Sequence, residues 1–398
     1  MKKAFAVALS AALMTVSITQ AQQATEVRIG ALNPLTGSGS PYGPGMQQAI
    51  KLAVSQINLR GGVMGKKIRL FTEDTATDPE TAVRAAKKLL DVNKVQAVLG
   101  TWSSGVTMAV VPLTIKAGAI EMSVSGAPQL TTLVDDDLVY RTQASNTLFG
   151  EVFAEVAKRN GFKRAATLAF NNPSGIGNTT EFAKQFKADG GTITSTVVYD
   201  GGRASYRTEI EKTLSAKPDV IVMGSYLADT TIILKELYQL GENIPVIAPA
   251  WAINPELVKA IGPAAEGALA VDALPNLGSK SYDFFKNAYQ KVSKSDPVTN
   301  PYAAMVYDQV IVLALAMEAA KSTDPKVYKN KIRDVSAAPG KLVYSYTEGL
   351  KELRAGRDIN YEGASSGIDF DKAGDVRPNF GIFQVKKGLL VLTGQFKP

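Results

Sequence analysis

The stretch Val98-Leu99-Gly100-Thr101-Trp102-Ser103-Ser104-Gly105-Val106-Thr107 sets two adjacent serines and an indole between an apolar strand and an apolar helix. Backbone N–H groups at a helix start have no partner within the helix, and the helix dipole is positive there. With the Ser104 hydroxyl beside them, they make a seat for the carboxylate of a small solute. The same residues would serve as an ordinary serine cap. The functional reading therefore depends on what else reaches the same rim. Tyr42 and Ser125-Gly126 also follow strand ends, and further along the chain Tyr226 and Trp251 do the same.

Other chemistries are closed off by composition. The 398 residues contain no cysteine and no histidine, which excludes disulfides, thiolate nucleophiles, zinc–sulfur sites, imidazole metal ligands and histidine-based triads. An enzyme would have to work with carboxylates, Lys, Tyr or Ser, so no catalytic residue, metal or cofactor is assigned. The turn holding Gly37, Gly39 and Gly43 has GxGxxxG spacing, one residue off the dinucleotide pattern. Pro41 and Pro44 also remove N–H groups that a phosphate would need. Tyr42 packing over a small solute is the better account of that loop. The formal charge of +7 falls to +5 without Lys2 and Lys3, and basic residues are interspersed with acids, as in Arg84 to Lys88 beside Glu80 and Asp91. Nucleic acid is therefore not an expected partner.

The chain opens with a secretory signal expected over 1–21: Lys2 and Lys3, an apolar run from Ala4 to Ile18, and the small-residue cleavage site Thr19-Gln20-Ala21. No cysteine follows to carry a lipid, which points to the periplasm of a two-membrane bacterium. The remainder exceeds the ~250–300 residues that one core usually holds, so two lobes are expected.

The elements that position these residues alternate. Val27–Leu32 reads as a strand, Met46–Asn58 as a helix with Ala49, Ile50, Ala53, Val54 and Ile57 on one stripe, and Lys67–Phe71 as a strand. Thr77-Asp78-Pro79-Glu80 starts a second helix, Val95–Leu99 is a strand, Gly105–Lys116 a helix and Ala119–Ser125 a strand. Such alternation implies right-handed βαβ units and parallel sheets covered on both faces, with solutes beyond the strands' carboxyl ends. The pattern restarts at Tyr140 and runs through a second lobe to Trp251. The helices Tyr282–Val292 and Tyr302–Lys321 return to complete the first lobe. Ile368–Asp371, Phe380–Val385 and Leu389–Gly394 read as terminal strands.

Gly30-Ala-Leu-Asn-Pro-Leu-Thr-Gly37, Ile57-Asn58 before Gly61-Gly-Val63 and Gly65-Lys66, Asp74 before Asp78-Pro79, Ala127-Pro-Gln-Leu-Thr131, Gly224-Ser-Tyr226 and Ile359-Asn-Tyr-Glu-Gly-Ala364 resemble the branched-chain amino-acid (leucine/isoleucine/valine) binding proteins of bacterial ABC importers. The resemblance implies the α/β type I periplasmic binding protein fold: two doubly wound parallel-sheet lobes joined by three crossovers, with a ligand cleft between them. It divides the chain into 26–143 plus 274–375 and 144–273 plus 376–398. It further implies a protein that passes a small carboxylate-bearing solute to a membrane permease, a branched-chain or other aliphatic amino acid being the family default; no enzyme activity is expected, and closing lobes with polar surfaces make a monomer the expected state. Its ligand site maps onto Tyr42, Ser104, Ser125, Gly126, Ser174 and Tyr226, and Trp102 and Trp251 are expected to enclose an aromatic or apolar body beside them.

Three positions depart from the family. Gly126 stands where threonine is frequent, Ser174 where an aromatic is usual, and Ala250 where amino-acid binders place a glutamate for the ammonium group. A buried ammonium without a partner costs several kcal/mol, about 3–5 when one member of a buried pair is removed. Asp200, Asp229 and Asp272 are the carboxylates that could replace that glutamate. Otherwise the solute is an aromatic or aliphatic carboxylate lacking the amine, or an amide- or urea-like molecule. The same fold could also serve as a sensor that reports occupancy without transport.

Overall fold

The structure is a computed structural model that describes residues 26–398, so the expected signal segment lies outside the described residues. The first sheet holds β1 (Glu26–Asn33), β2 (Lys67–Asp74), β3 (Ala97–Leu99), β4 (Ile120–Ser123) and β5 (Val139–Arg141), all parallel, in the order β2-β1-β3-β4-β5. Helices α1 (Gly43–Leu59), α2 (Pro79–Lys87) and α3 (Ser104–Ala117) connect successive strands. Central β3 and β4 are buried at every residue, as parallel strands covered on both faces must be. Asp78 caps α2 by accepting from Thr81 N–H at 2.8 Å, with Pro79 in the first turn.

The second sheet has the order β14-β13-β10-β9-β8-β6-β7. It contains β6 (Arg164–Phe170), β7 (Thr192–Tyr199), β8 (Val220–Gly224), β9 (Val246–Pro249) and β10 (Leu269–Ala273), which are parallel. Around them run α4 (Asn146–Arg159), α5 (Pro173–Ala188), α6 (Arg207–Leu214), α7 (Leu227–Gln239) and α8 (Pro255–Ile261). The chain then returns to the first lobe as α9 (Lys280–Tyr289), α10 (Pro301–Ala320), α11 (Pro325–Ile332), β11 (Lys341–Val343), α12 (Tyr346–Arg354) and β12 (Ile359–Tyr361). There α9 and α10 pack on α1. By length and composition α10 could cross a membrane, but 83 % of its most apolar window is buried inside this lobe.

The parallel sheet of the second lobe is extended at one edge by the expected terminal strands: β13 (Phe380–Lys386) and β14 (Leu389–Phe396) form a hairpin that joins β10 antiparallel. Lys387 and Gly388, at φ of 52° and 72°, give the two-residue turn whose twist suits such a hairpin. One expectation is corrected: Ile368–Asp371 is not a strand. Ile368 takes a φ of 58°, and the Asp371 carboxylate accepts from Ala373 and Asp375 N–H, so side chains replace sheet partners there.

Three crossings connect the lobes: after β5, after β10 and before β13. The buried Arg141 guanidinium clamps the first to the third, reaching Asp375 through Nε–Oδ1 and Nη2–Oδ2, both at 2.6 Å. Its Nη1 donates to Ala127 C=O at 2.8 Å.

Candidate functional site

A small cavity lies where the two sheets face one another. Trp102, Ser104, Val124 and Gly126 enter from beyond β3 and β4. Ser174, Tyr226 and Trp251 enter from beyond β6, β8 and β9, and Gln143, Asn146 and Phe149 from the first crossing and α4. Tyr302, on α10, closes the back. Most of the lining thus follows strand carboxyl ends, as open α/β sheets dictate.

The Trp102–Ser104 turn is built from below. Gly100 has a φ of 94°, and a Cβ there would stand 2.1 Å from Asn33 Oδ1. Glycine alone lets the chain swing out of β3 at this point. Thr101 donates to Glu121 Oε1 at 2.9 Å and Thr114 to Oε2 at 2.8 Å, pinning the turn from the strand beneath. Burial among neutral partners pushes the Glu121 carboxyl up to about 7.

Ser103 occupies the cap position of α3 but does not cap it; its Oγ lies 3.2 Å from the Tyr226 hydroxyl across the cleft. Two other helices that begin at the cavity each have one first-turn donor taken by a capping side chain. Asn172 accepts from Gly175 N–H at 2.7 Å at the start of α5, and Ser145 from Leu148 N–H at 3.2 Å at the start of α4. The start of α3, with Ser104 on the cavity wall, is therefore the corner that favours an anion.

Gly126 and Asn146 are a matched pair. A Cβ at 126 would stand 2.1 Å from Asn146 Oδ1, so a threonine there would require the Asn146 amide to move, and Gly126 presents backbone alone. The walls are aromatic. Trp102 lies 5.5 Å from Tyr226 and meets Tyr302 edge-on at 5.8 Å, while Phe149 meets Trp251 edge-on at 5.3 Å. The Trp251 indole N–H is spent on Ser225 C=O at 3.1 Å.

Among the described residues, none that lines the cavity carries a charge. Asp200 is surface-exposed and bonded to Asn171. Asp229 is buried but turned to the Tyr199 hydroxyl and Tyr226 N–H; burial raises its carboxyl to about 6. Asp272 lies one layer behind the wall, accepting from Gln143 Nε2 at 3.3 Å, Ala273 N–H at 2.8 Å and the Tyr302 hydroxyl at 3.2 Å. Burial raises it to about 7.

Of the residues expected from the sequence, Trp102, Ser104, Gly126, Ser174, Tyr226 and Trp251 come together on one cavity, while Tyr42 and Ser125 do not line it. Ser125 is buried. Tyr42 stacks behind Trp102 at 5.7 Å, so the indole stands between it and the cavity. Gln143, Asn146, Phe149 and Tyr302 were missed. The polar run Gln143-Ala-Ser-Asn146 where the pattern restarts was a readable sign, whereas Tyr302 in an apolar helix looks like any core residue.

The periplasmic binding protein family model matches residues 26–354. A Leu/Ile/Val-binding protein, BraC3, of Rhizobium johnstonii is 27% identical over 333 residues, covering 82% of this chain and 89% of the relative. A leucine binding protein, LivK, from Thermotoga maritima superposes with a TM-score of 0.81 at 24% identity, covering 94% of this chain and 99% of its own. A solute binding protein of an ABC transporter from R. palustris, in complex with benzoate, superposes with a TM-score of 0.76 at 20% identity, covering 94% and 97%.

Proposed function

The chain belongs to the periplasmic binding protein family, and on that premise we propose that it captures an aromatic carboxylate lacking an amine between two closing lobes. One observation carries this reading: the cavity offers aromatic walls and an uncapped helix start but no charged side chain. A carboxylate is served by the α3 N–H groups and the Ser104 hydroxyl, and a flat apolar body by Trp102, Phe149, Tyr226 and Trp251. An ammonium would find only neutral groups, with Ala250 where a carboxylate would be needed. Benzoate in the R. palustris protein is a solute of this class.

In this reading the lobes are 26–143 with 274–375 and 144–273 with 376–398. The protein is a periplasmic monomer that releases its solute chemically unchanged to an ABC permease. The ligand holds the closed state through its differential affinity for it. Asp272 favours a second reading, the aliphatic amino acid of the Rhizobium relative's name, because it is a buried carboxylate without a cation directly behind Gln143 and Tyr302.

Thermal unfolding of refolded protein decides between them. Benzoate, 4-hydroxybenzoate, leucine, isoleucine and valine are each added in turn. A ligand at a hundred times its Kd adds about 2.7 kcal/mol and raises the midpoint by several degrees. A shift with the benzoates alone supports the first reading; a shift with the amino acids alone replaces it by the second.

A further inference from the structure

We propose that Tyr42 is a latch between the lobes that sets how tightly every solute is held while touching none of them; this rests on the reading that the lobes close on a solute. The ring is buried at 4 % exposure, yet it is absent from the cavity wall. Its hydroxyl reaches into the other lobe, where it donates to Trp251 C=O at 3.2 Å and accepts from Asn254 Nδ2 at 3.0 Å. Both ends of this contact are held rigidly. On the first-lobe side Asn300 Nδ2 donates to Tyr42 C=O at 3.1 Å, and the ring packs on Trp102 and edge-on against Tyr302 at 5.2 Å. On the second-lobe side Asn254 caps α8, its Oδ1 accepting from Leu257 N–H at 3.0 Å. The cap fixes which way the amide faces and leaves Nδ2 for Tyr42.

The consequence is thermodynamic. Both bonds of the Tyr42 hydroxyl exist only while the lobes touch, and water replaces them when the lobes part. They bias the open–closed equilibrium by an amount independent of the solute. Apparent affinity is the intrinsic affinity scaled by the population of the competent state, so removing the latch weakens all solutes by one factor.

Tyr42→Phe keeps the ring stack and deletes the hydroxyl. The chain's lack of cysteine allows spin labels at Lys51→Cys on α1 and Lys184→Cys on α5, both exposed, to report the lobe separation. The expected result is a larger open fraction without solute, and a Kd raised by the same factor of about 2–10 for benzoate and 4-hydroxybenzoate, through faster dissociation. An unchanged solute-free distance distribution overturns the proposal, as does a change in the ratio of the two Kd values. Should Tyr42→Phe fail to fold, Asn254→Ser retains a capping oxygen and removes the amide donor, and the same outcomes apply. The solute-free distances decide the latch even if neither benzoate binds, which separates its failure from that of the ligand reading.

Discussion

The two lobes meet the cavity with different chemistry. The first presents a helix start without a side-chain cap, the Ser104 hydroxyl and the bare backbone of Gly126. The second presents the Asn172-capped start of α5, aromatic rings, and the Asn254 amide and Trp251 carbonyl that receive Tyr42. In the proposed function this contrast divides the work between the lobes. On that proposal the first lobe meets the carboxylate, and the second meets the body of the solute and, through Tyr42, holds the closed state.

This division can be broken in order of expected effect. Gly126→Pro adds atoms where a Cβ already meets Asn146 Oδ1 at 2.1 Å, and removes an N–H beside the carboxylate seat; calorimetric titration should show affinity reduced about 100-fold or more. Ser104→Ala loses one bond to a charged group, about 1.5–3 kcal/mol, which is roughly 10- to 150-fold in Kd for every carboxylate. Unchanged affinity in both variants would sink the assignment to the first lobe. Trp251→Leu on the second lobe should weaken aromatic solutes by about 2–10-fold while sparing aliphatic ones, since an aromatic pair adds about 0.5–1.5 kcal/mol. Equal losses for both solute types would show that the second lobe does not select the body.

The smallest effect is on pH. Asp272 and Glu121 both have carboxyls raised to about 7 by burial, above their unfolded values near 4. The folded state therefore binds more protons than the unfolded one between those values. Stability from these groups is fully present below about pH 4 and is lost as pH rises through about 7. Asp272→Asn and Glu121→Gln should each gain urea midpoint relative to the parent between pH 5 and pH 8. A difference constant over that range would contradict the burial argument. Asp272→Asn also sharpens the choice of ligand: loss of leucine binding with benzoate binding retained would make Asp272 the ammonium partner.

Much of this was legible along the chain. Val98–Ser104 read as strand, turn and helix start, and the structure places α3 at Ser104, one residue before the expected Gly105. Ala250 already marked the missing charge. β5 was not legible: Val139-Tyr140-Arg141 is three residues long and is a strand only because β4 lies beside it. Tyr42 was misplaced for a related reason. Its strand-end position is local, but the indole that screens it from the cavity comes from the next βα turn.

The sequence by itself determined the alternation of strands and helices, the exclusion of thiol and imidazole chemistry, and the absence of a carboxylate at position 250. These follow from residue type and from periods of two and 3.6 residues, which neighbours along the chain display. Only the tertiary structure decided that Tyr302 closes the cavity, that Asp272 backs it, that Ser103 forsakes its helix for Tyr226, and that Tyr42 bridges the lobes. Each of these contacts joins segments from 30 to more than 200 residues apart. Local pattern fixes which face of an element is apolar, whereas the partner of a buried polar atom is fixed only when distant elements pack.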